Sequence, residues 1–422
     1  MQWDVRKAPP RTGFAGLLHG LRGAAAACGM AAALPGLLAG PAAAQETIKV
    51  GVPMILSGAG EVFGRPILVG AQMYADELNA AGGVLGRKIE LIPADTTSDA
   101  AKAAEVTRDL IANKKADFII GTFTSAQGIT VSDVSKELKT IFLAAGPKTD
   151  QMTAPGKLHP YLFRVAANTT TEARSAAALI ARWGGKRIAT IAGDMAYGRD
   201  GVKAFVARIK ELVPDAEIVD QQWPKLNETN YEPFLAAQMA AKPDAVFAVV
   251  CCGDFPAFGR QAKAQGYFTQ LGNNFVGVGE AISIESRQGL GMDFPAGIWG
   301  NAYDIESWDG DAWVNGDVHE KYFAKLAAYT KQPVPSSWAS QGYIGMQLLA
   351  GAIAKAGTTD TDAVIKALEG LEVQTPAGAM VMRAKDHQLN RGQVWGQAKL
   401  EPGKTYLSVD KPEYIDPTNF MD

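Results

Sequence analysis

Cysteine and histidine are scarce here, with three and four among 422 residues. Cys28 lies near the N-terminus, and Cys251 and Cys252 are adjacent at the end of the apolar run DAVFAVV. Three cysteines so placed give no disulfide framework. The neighbouring pair reads as two small residues closing a buried strand, or as a vicinal disulfide. His159, His319 and His387 are far apart and match no metal-ligand spacing, so neither a metal nor another cofactor is expected. An excess of charge is also missing. With 41 basic and 44 acidic residues the net charge is −3, which makes no electrostatic case for nucleic acid. Beyond the first 44 residues no apolar run is long enough to span a bilayer. Ser125 has no G-x-S-x-G elbow around it and no histidine nearby in sequence, which excludes a hydrolase of that type.

What is present begins with a targeting pattern. Residues 1–44 carry Arg6, Lys7, Arg11 and Arg22 against one acid, Asp4, followed by the alanine-rich stretch GAAAACGMAAALPGLLAG. The stretch closes on GPAAAQE, where Ala42 and Ala44 fit the small-x-small pattern of a signal-peptidase site. Residues 1–44 are therefore expected to be a signal peptide cleaved near Ala44, and the mature protein to reach the periplasm. That chain is 422 − 44 = 378 residues long, comfortable for two domains.

The remainder alternates. TIKVGVPMI, RKIELIPAD, ADFIIG and KTIFLAA read as strands, and helical patterns stand between them. ADFIIG has no polar alternation, the mark of a strand covered on both faces. KRIATIAGD, AEIVDQQW, DAVFAVVCC and NNFVGVG repeat the order with helices of their own. Two α/β units with parallel sheets follow, as two Rossmann-like lobes. Two further helical patterns, 311–330 and 336–357, are expected to return to the first lobe. The expected boundaries are 45–166 plus 300–391 for lobe 1 and 167–299 plus 392–422 for lobe 2. Hinges are then expected near 165–168, 298–301 and 390–394.

In an open parallel sheet, ligands sit beyond the carboxyl ends of the strands. FIIG runs into the loop TFTSAQG at the start of a helix, where unpaired N–H groups and a partial positive charge favour an anion. Ser125 there either caps its own helix or donates its hydroxyl to a carboxylate. A dinucleotide site is the competing enzyme reading, since GAGEVFG follows the first strand and Asp95 ends the second. Its spacing is G-x-G-x-x-x-G, and the first strand's Gly51 lies outside the tight turn.

Several stretches in order, IKVGVPMILSGAGEVFGRPILVGAQMYADELNAAGGVLGRKIELIPADT, VTRDLIANKKADFIIGTFTS, RIATIAGDMAYGRDG, GRQAKAQG and MVMRAKDHQLN, carry a resemblance. Across nearly all of the mature chain, the sequence resembles the leucine/isoleucine/valine-binding family of type I periplasmic binding proteins. The resemblance implies a two-lobed, flytrap-like α/β fold and no enzymatic activity. It implies a monomer that captures a small carboxylate-bearing solute and hands it to the permease and ATPase subunits of an ABC importer. A free-standing periplasmic ligand sensor is the alternative. Carried over, the ligand-binding positions are Phe63, Phe123, Thr124, Ser125, Gly146, Lys148, Tyr197, Asp254 and Glu280. Ser125 matches the carboxylate-binding serine, Tyr197 the tyrosine that closes over the ligand, and Glu280 the partner of a substrate amine. Asp254 also lies at a strand end, facing the expected cleft. Lys148 departs from the family, which commonly has a hydroxyl there. A lysine beside the helix start at Ser125 is expected to favour an anion and disfavour an α-ammonium group.

Overall fold

The computed structural model describes residues 47–251, 253–272, 274–305 and 316–421. The segment expected to be a signal peptide, Cys252 and the first residues of the 311–330 pattern lie outside them.

The first half is built from β1 (Ile48–Met54), α1 (Glu61–Ala80), β2 (Ile89–Asp95), α2 (Ala100–Ala112), β3 (Phe118–Gly121), α3 (Ser125–Leu138), β4 (Phe142–Ala144) and β5 (Leu162–Arg164). The strands form one parallel sheet in the order β2-β1-β3-β4-β5. β5 comes from a Pro- and Gly-rich stretch whose sequence reads as irregular. Its three apolar and basic residues are too few for periodicity to show.

The second half contains α4 (Thr169–Arg182), β6 (Arg187–Ala192), α5 (Ala196–Leu212), β7 (Glu217–Gln222), α6 (Glu232–Ala241), β8 (Ala245–Val249), α7 (Asp254–Ala264), α8 (Tyr267–Gln270), β9 (Phe275–Gly277), α9 (Ile284–Leu290) and β10 (Trp299–Ala302). The chain then supplies α10 (Gly316–Thr330), α11 (Ala339–Ala356), α12 (Thr361–Leu368), β11 (Glu372–Thr375) and β12 (Gly378–Val381). It ends with β13 (Gln393–Lys399) and β14 (Ser408–Ile415). The second sheet runs β14-β13-β10-β9-β8-β6-β7. β10 is parallel to β9 and antiparallel to β13, so the chain leaves this sheet after Ala302.

Residues distant in sequence make each core. Ile344, Leu348 and Leu349 of α11, with Val364 of α12 and Met380 of β12, pack with Val50, Val52, Phe118 and Ile120 in one apolar cluster. The late helices thus cover the first sheet. α11 crosses α1 at backbone distance: a Cβ on Gly70 would meet Ala339 O at 1.8 Å, and one on Gly342 would meet Ile67 O at 1.8 Å. The second sheet has its own clusters, around Phe255, Phe258 and Phe275 on one face and Phe205, Phe247 and Trp395 on the other.

Candidate functional site

β3 and β4 end side by side, and the loops that leave them touch. A Cβ on Gly146 would stand 2.5 Å from Thr122 O and 2.9 Å from Phe123 Cα, so only glycine admits this approach. Thr124 is the N-cap of α3: its hydroxyl accepts the Gln127 N–H at 3.3 Å. Ser125, a candidate for that cap, is instead the first helical residue, and its Oγ accepts the Thr149 N–H at 3.2 Å. Phe123 lies flat on Phe63, with ring centroids 5.4 Å apart. Trp338, at the start of α11, stands edge-on to both, and Tyr303 stands edge-on to Trp338.

Lys148 projects from the loop after β4 into this aromatic wall and is 5% exposed. Its Nζ donates to Glu172 Oε1 and to Glu280 Oε1, each at 2.5 Å. The same nitrogen lies 4.7 Å from the Tyr303 ring centroid, 5.5 Å from that of Trp338 and 5.6 Å from that of Tyr197. Lys148 belongs to the first half, while Glu172, in the first turn of α4, and Glu280, after β9, belong to the second. The ion pairs therefore cross between the halves. Tyr197 joins them by donating its hydroxyl to Glu172 Oε2 at 2.5 Å. Gln393 Nε2 donates to Glu172 Oε1 at 2.6 Å and Glu280 Oε1 at 3.0 Å, and Asn301 Nδ2 donates to Gln393 Oε1 at 2.8 Å. A second link lies beside the first: Thr149 Oγ1 donates to Asp200 of α5, and the Asp150 N–H donates to the same carboxylate at 3.1 Å.

The electrostatics follow from burial. Desolvation pushes the Lys148 ammonium down, but Glu172 and Glu280 outweigh it and hold the group well above the ordinary lysine value. Burial raises the Glu280 carboxyl to about 7 against the opposing pull of Lys148, and Glu172 adds to the rise. Burial, with Glu172 close by, raises the Tyr197 phenol well above its usual range. Among the described residues, four buried polar atoms of this region have no hydrogen-bond partner: Thr122 Oγ1, Glu280 Oε2, Tyr303 OH and Trp338 Nε1. Most buried polar atoms in folded proteins have a partner, so these four call for one.

Phe63, Phe123, Gly146, Lys148, Tyr197 and Glu280 thus meet in one region, with Thr124 and Ser125 at its edge. Two expectations are corrected. The charge of Lys148 is not free beside Ser125, because two carboxylates neutralise it; the loop group that reaches Ser125 is the Thr149 N–H. Asp254 is engaged elsewhere, accepting the Asn227 N–H at 3.2 Å within its own half. Glu172, Asn301, Tyr303, Trp338 and Gln393 were not legible as site residues. A signal existed for Glu172 alone. Asn168 caps α4, accepting the Thr171 N–H, and an acid in the following turn is a helix-start pattern.

The comparisons with known proteins bear on this arrangement. The family model described as "Periplasmic binding protein" matches residues 47–403. The chain belongs to that family. Membership places this periplasmic binding protein among binding proteins, not enzymes. Among curated relatives, Leu/Ile/Val-binding protein homolog 4 of Brucella abortus (strain 2308) is 25% identical over 404 residues, 92% of this chain and 91% of the relative. Among solved structures, a solute binding protein of an ABC transporter from Rhodopseudomonas palustris BisB5, in complex with 3,4-dihydroxybenzoic acid, aligns with a TM-score of 0.76 at 21% identity. The alignment covers 88% of this chain and 98% of that one. The branched-chain amino acid transporter substrate binding protein LivJ of Streptococcus pneumoniae, in complex with isoleucine, aligns with a TM-score of 0.74 at 20% identity. There the coverage is 88% of this chain and 100% of that one. At these identities the solved structures establish the fold that this periplasmic binding protein shares with them, an α/β fold with mainly parallel sheets in two halves.

Proposed function

We propose that the protein is the exported, monomeric solute-binding component of an ABC importer, serving membrane permease and ATPase subunits. We further propose that its cleft takes a small organic acid without an α-amine, an aromatic carboxylate above all, in preference to leucine. The observation that carries this reading is the position of the Lys148 ammonium, 2.5 Å from both Glu172 and Glu280. An amino acid needs a carboxylate for its ammonium group, and here the two carboxylates already share the Lys148 ammonium. The rings of Phe63, Phe123, Tyr303 and Trp338 supply apolar walls suited to an aromatic body. The helix start at Ser125 favours the anionic end. Solved proteins of the same fold, in complex with 3,4-dihydroxybenzoic acid and 4-hydroxybenzoate, support the solute class.

Calorimetric titration of residues 45–422 with benzoate and with leucine tests the reading. The wild type is expected to bind benzoate more tightly. Lys148→Thr frees both glutamates, so it is expected to weaken benzoate and strengthen leucine, narrowing or reversing the ratio. Tight leucine binding that a folded Lys148→Thr leaves untouched would sink the proposal.

A further inference from the structure

Arg391 lies two residues before Gln393, on the stretch that returns the chain to the second sheet, and is 1% exposed. Its Nη2 donates to Ser340 Oγ at 2.8 Å. Its guanidinium carbon is 4.7 Å from the Tyr303 ring centroid, the same distance as Lys148 Nζ. Tyr303 is thus shared between the two cations, and the polar region continues past it. Arg391 Nε and Nη1 are buried and have no acceptor. Tyr303 OH and Trp338 Nε1, from residues 2% and 4% exposed, have no partner either. Of the acids near Arg391, Asp304 accepts from His319 and from the Ile305 N–H.

A fully buried guanidinium with two idle donors is costly unless something accepts from it. Lys148 and Glu280 account for each other's charge beside Tyr303, and no side chain among the described residues accepts from Arg391 Nε and Nη1. We propose that Arg391, with Tyr303 OH and Trp338 Nε1, reads a second oxygen acceptor at the inner end of the solute. This inference rests on the aromatic-acid reading above and narrows it. The solute is an aromatic acid carrying a ring oxygen or a second carboxylate on the side away from its first carboxylate. Arg391 is then a specificity-determining residue. A guanidinium fits this role because its N–H groups fan out in one plane toward an oxygen acceptor.

The test is a matched ligand series on residues 45–422: benzoate, 4-hydroxybenzoate and terephthalate, titrated against wild type, Arg391→Met and Arg391→Lys. The wild type is expected to favour at least one of the two bifunctional acids over benzoate by at least about tenfold, because a site built to hydrogen-bond an oxygen rejects the analogue that lacks it. Arg391→Met is expected to bring that ratio close to one, while Arg391→Lys keeps part of it. A merely structural arginine would lower affinity for all three acids together and leave the ratio unchanged, which would overturn the inference. So would a wild type that binds all three equally. If Arg391→Met does not fold, the lysine variant decides: a ratio equal to wild type there refutes the role. If the folded wild type binds none of the three, the solute class itself is wrong and this inference falls with it. If benzoate binds and the ratio is one, only this inference fails.

Discussion

A lysine held between two buried carboxylates leaves a surplus of negative charge, and the site answers through the proton affinity of one of them. Glu280 has one oxygen on Lys148 and Gln393 and one without a partner. Its folded-state value, raised by burial to about 7 from the ordinary 4.5, means that the folded protein holds this proton more tightly than the unfolded chain does. The associated stability is fully present below pH 4.5 and is lost as pH rises through about 7. Glu280→Gln keeps the neutral shape without titrating. The melting temperature of the wild type is therefore expected to drop relative to that of Glu280→Gln as pH goes from 4.5 to 7. Parallel curves across that window would show that Glu280 does not carry the proton. At this scale the sequence showed residue types and strand-end positions, while Phe63, Tyr197 and Glu280 were carried over from the family resemblance, and the structure brings all three beside Lys148. It did not show partners. Glu172 and Glu280 stand 24 and 132 positions from the lysine they share, and no local pattern encodes such a meeting. Lys148 was singled out as a departure from the family, but the effect of its charge was misjudged because its counter-ions were out of sight.

Among the elements, the crossing of α1 and α11 is the tightest constraint. Gly70 and Gly342 let each backbone rest on the other, and a methyl at either would lie 1.8 Å from a carbonyl oxygen that belongs to a helix. Neither helix has a flexible side chain there to yield. Gly342→Ala is expected to destabilise the protein by about 1–3 kcal/mol, the usual range for overpacking, despite the better helix propensity of alanine. Chemical denaturation measures this directly, and an unchanged or raised midpoint would contradict the close crossing. Elements were the most legible scale. Apolar runs and helical spacing located the first four strands and the helices that cover them, and the order alone implied parallel sheets. β5 and the antiparallel pair β13 and β14 escaped. β5 is three residues long, and β14, SVDKPEYI, carries charge and proline that resemble a loop. Caps were legible to within a residue: the sequence before α2 offers Ser98 or Asp99 and Asp99 takes the cap, whereas Thr124 takes the place open to Ser125.

For the whole molecule, the important contacts are those between halves. Lys148 with Glu172 and Glu280, and Thr149 and Asp150 with Asp200, join the two halves. A solute that touches both halves stabilises the joined form by its differential affinity for it. Small-angle scattering on residues 45–422 is expected to show a smaller radius of gyration with saturating benzoate than without. An identical envelope in both conditions would count against ligand-driven closure. The late return of the chain to the first half was visible in the sequence. β10 itself was not, because its pairing with β9 and β13 rests on backbone hydrogen bonds that side-chain pattern does not report.

The first core is completed by residues that a ribosome makes almost last. Val50 and Ile120 wait for Leu348, Val364 and Met380 before their cluster is whole. Contacts so far apart along the chain form slowly, because the closure entropy of a long loop precedes any reward. A growing chain that lacks α11 has no partner for the exposed apolar face of its first sheet, so it stays open and accessible to chaperones until synthesis is nearly finished. On the proposed reading of an exported chain, that delay keeps it pliable for the whole length of its passage through a narrow pore.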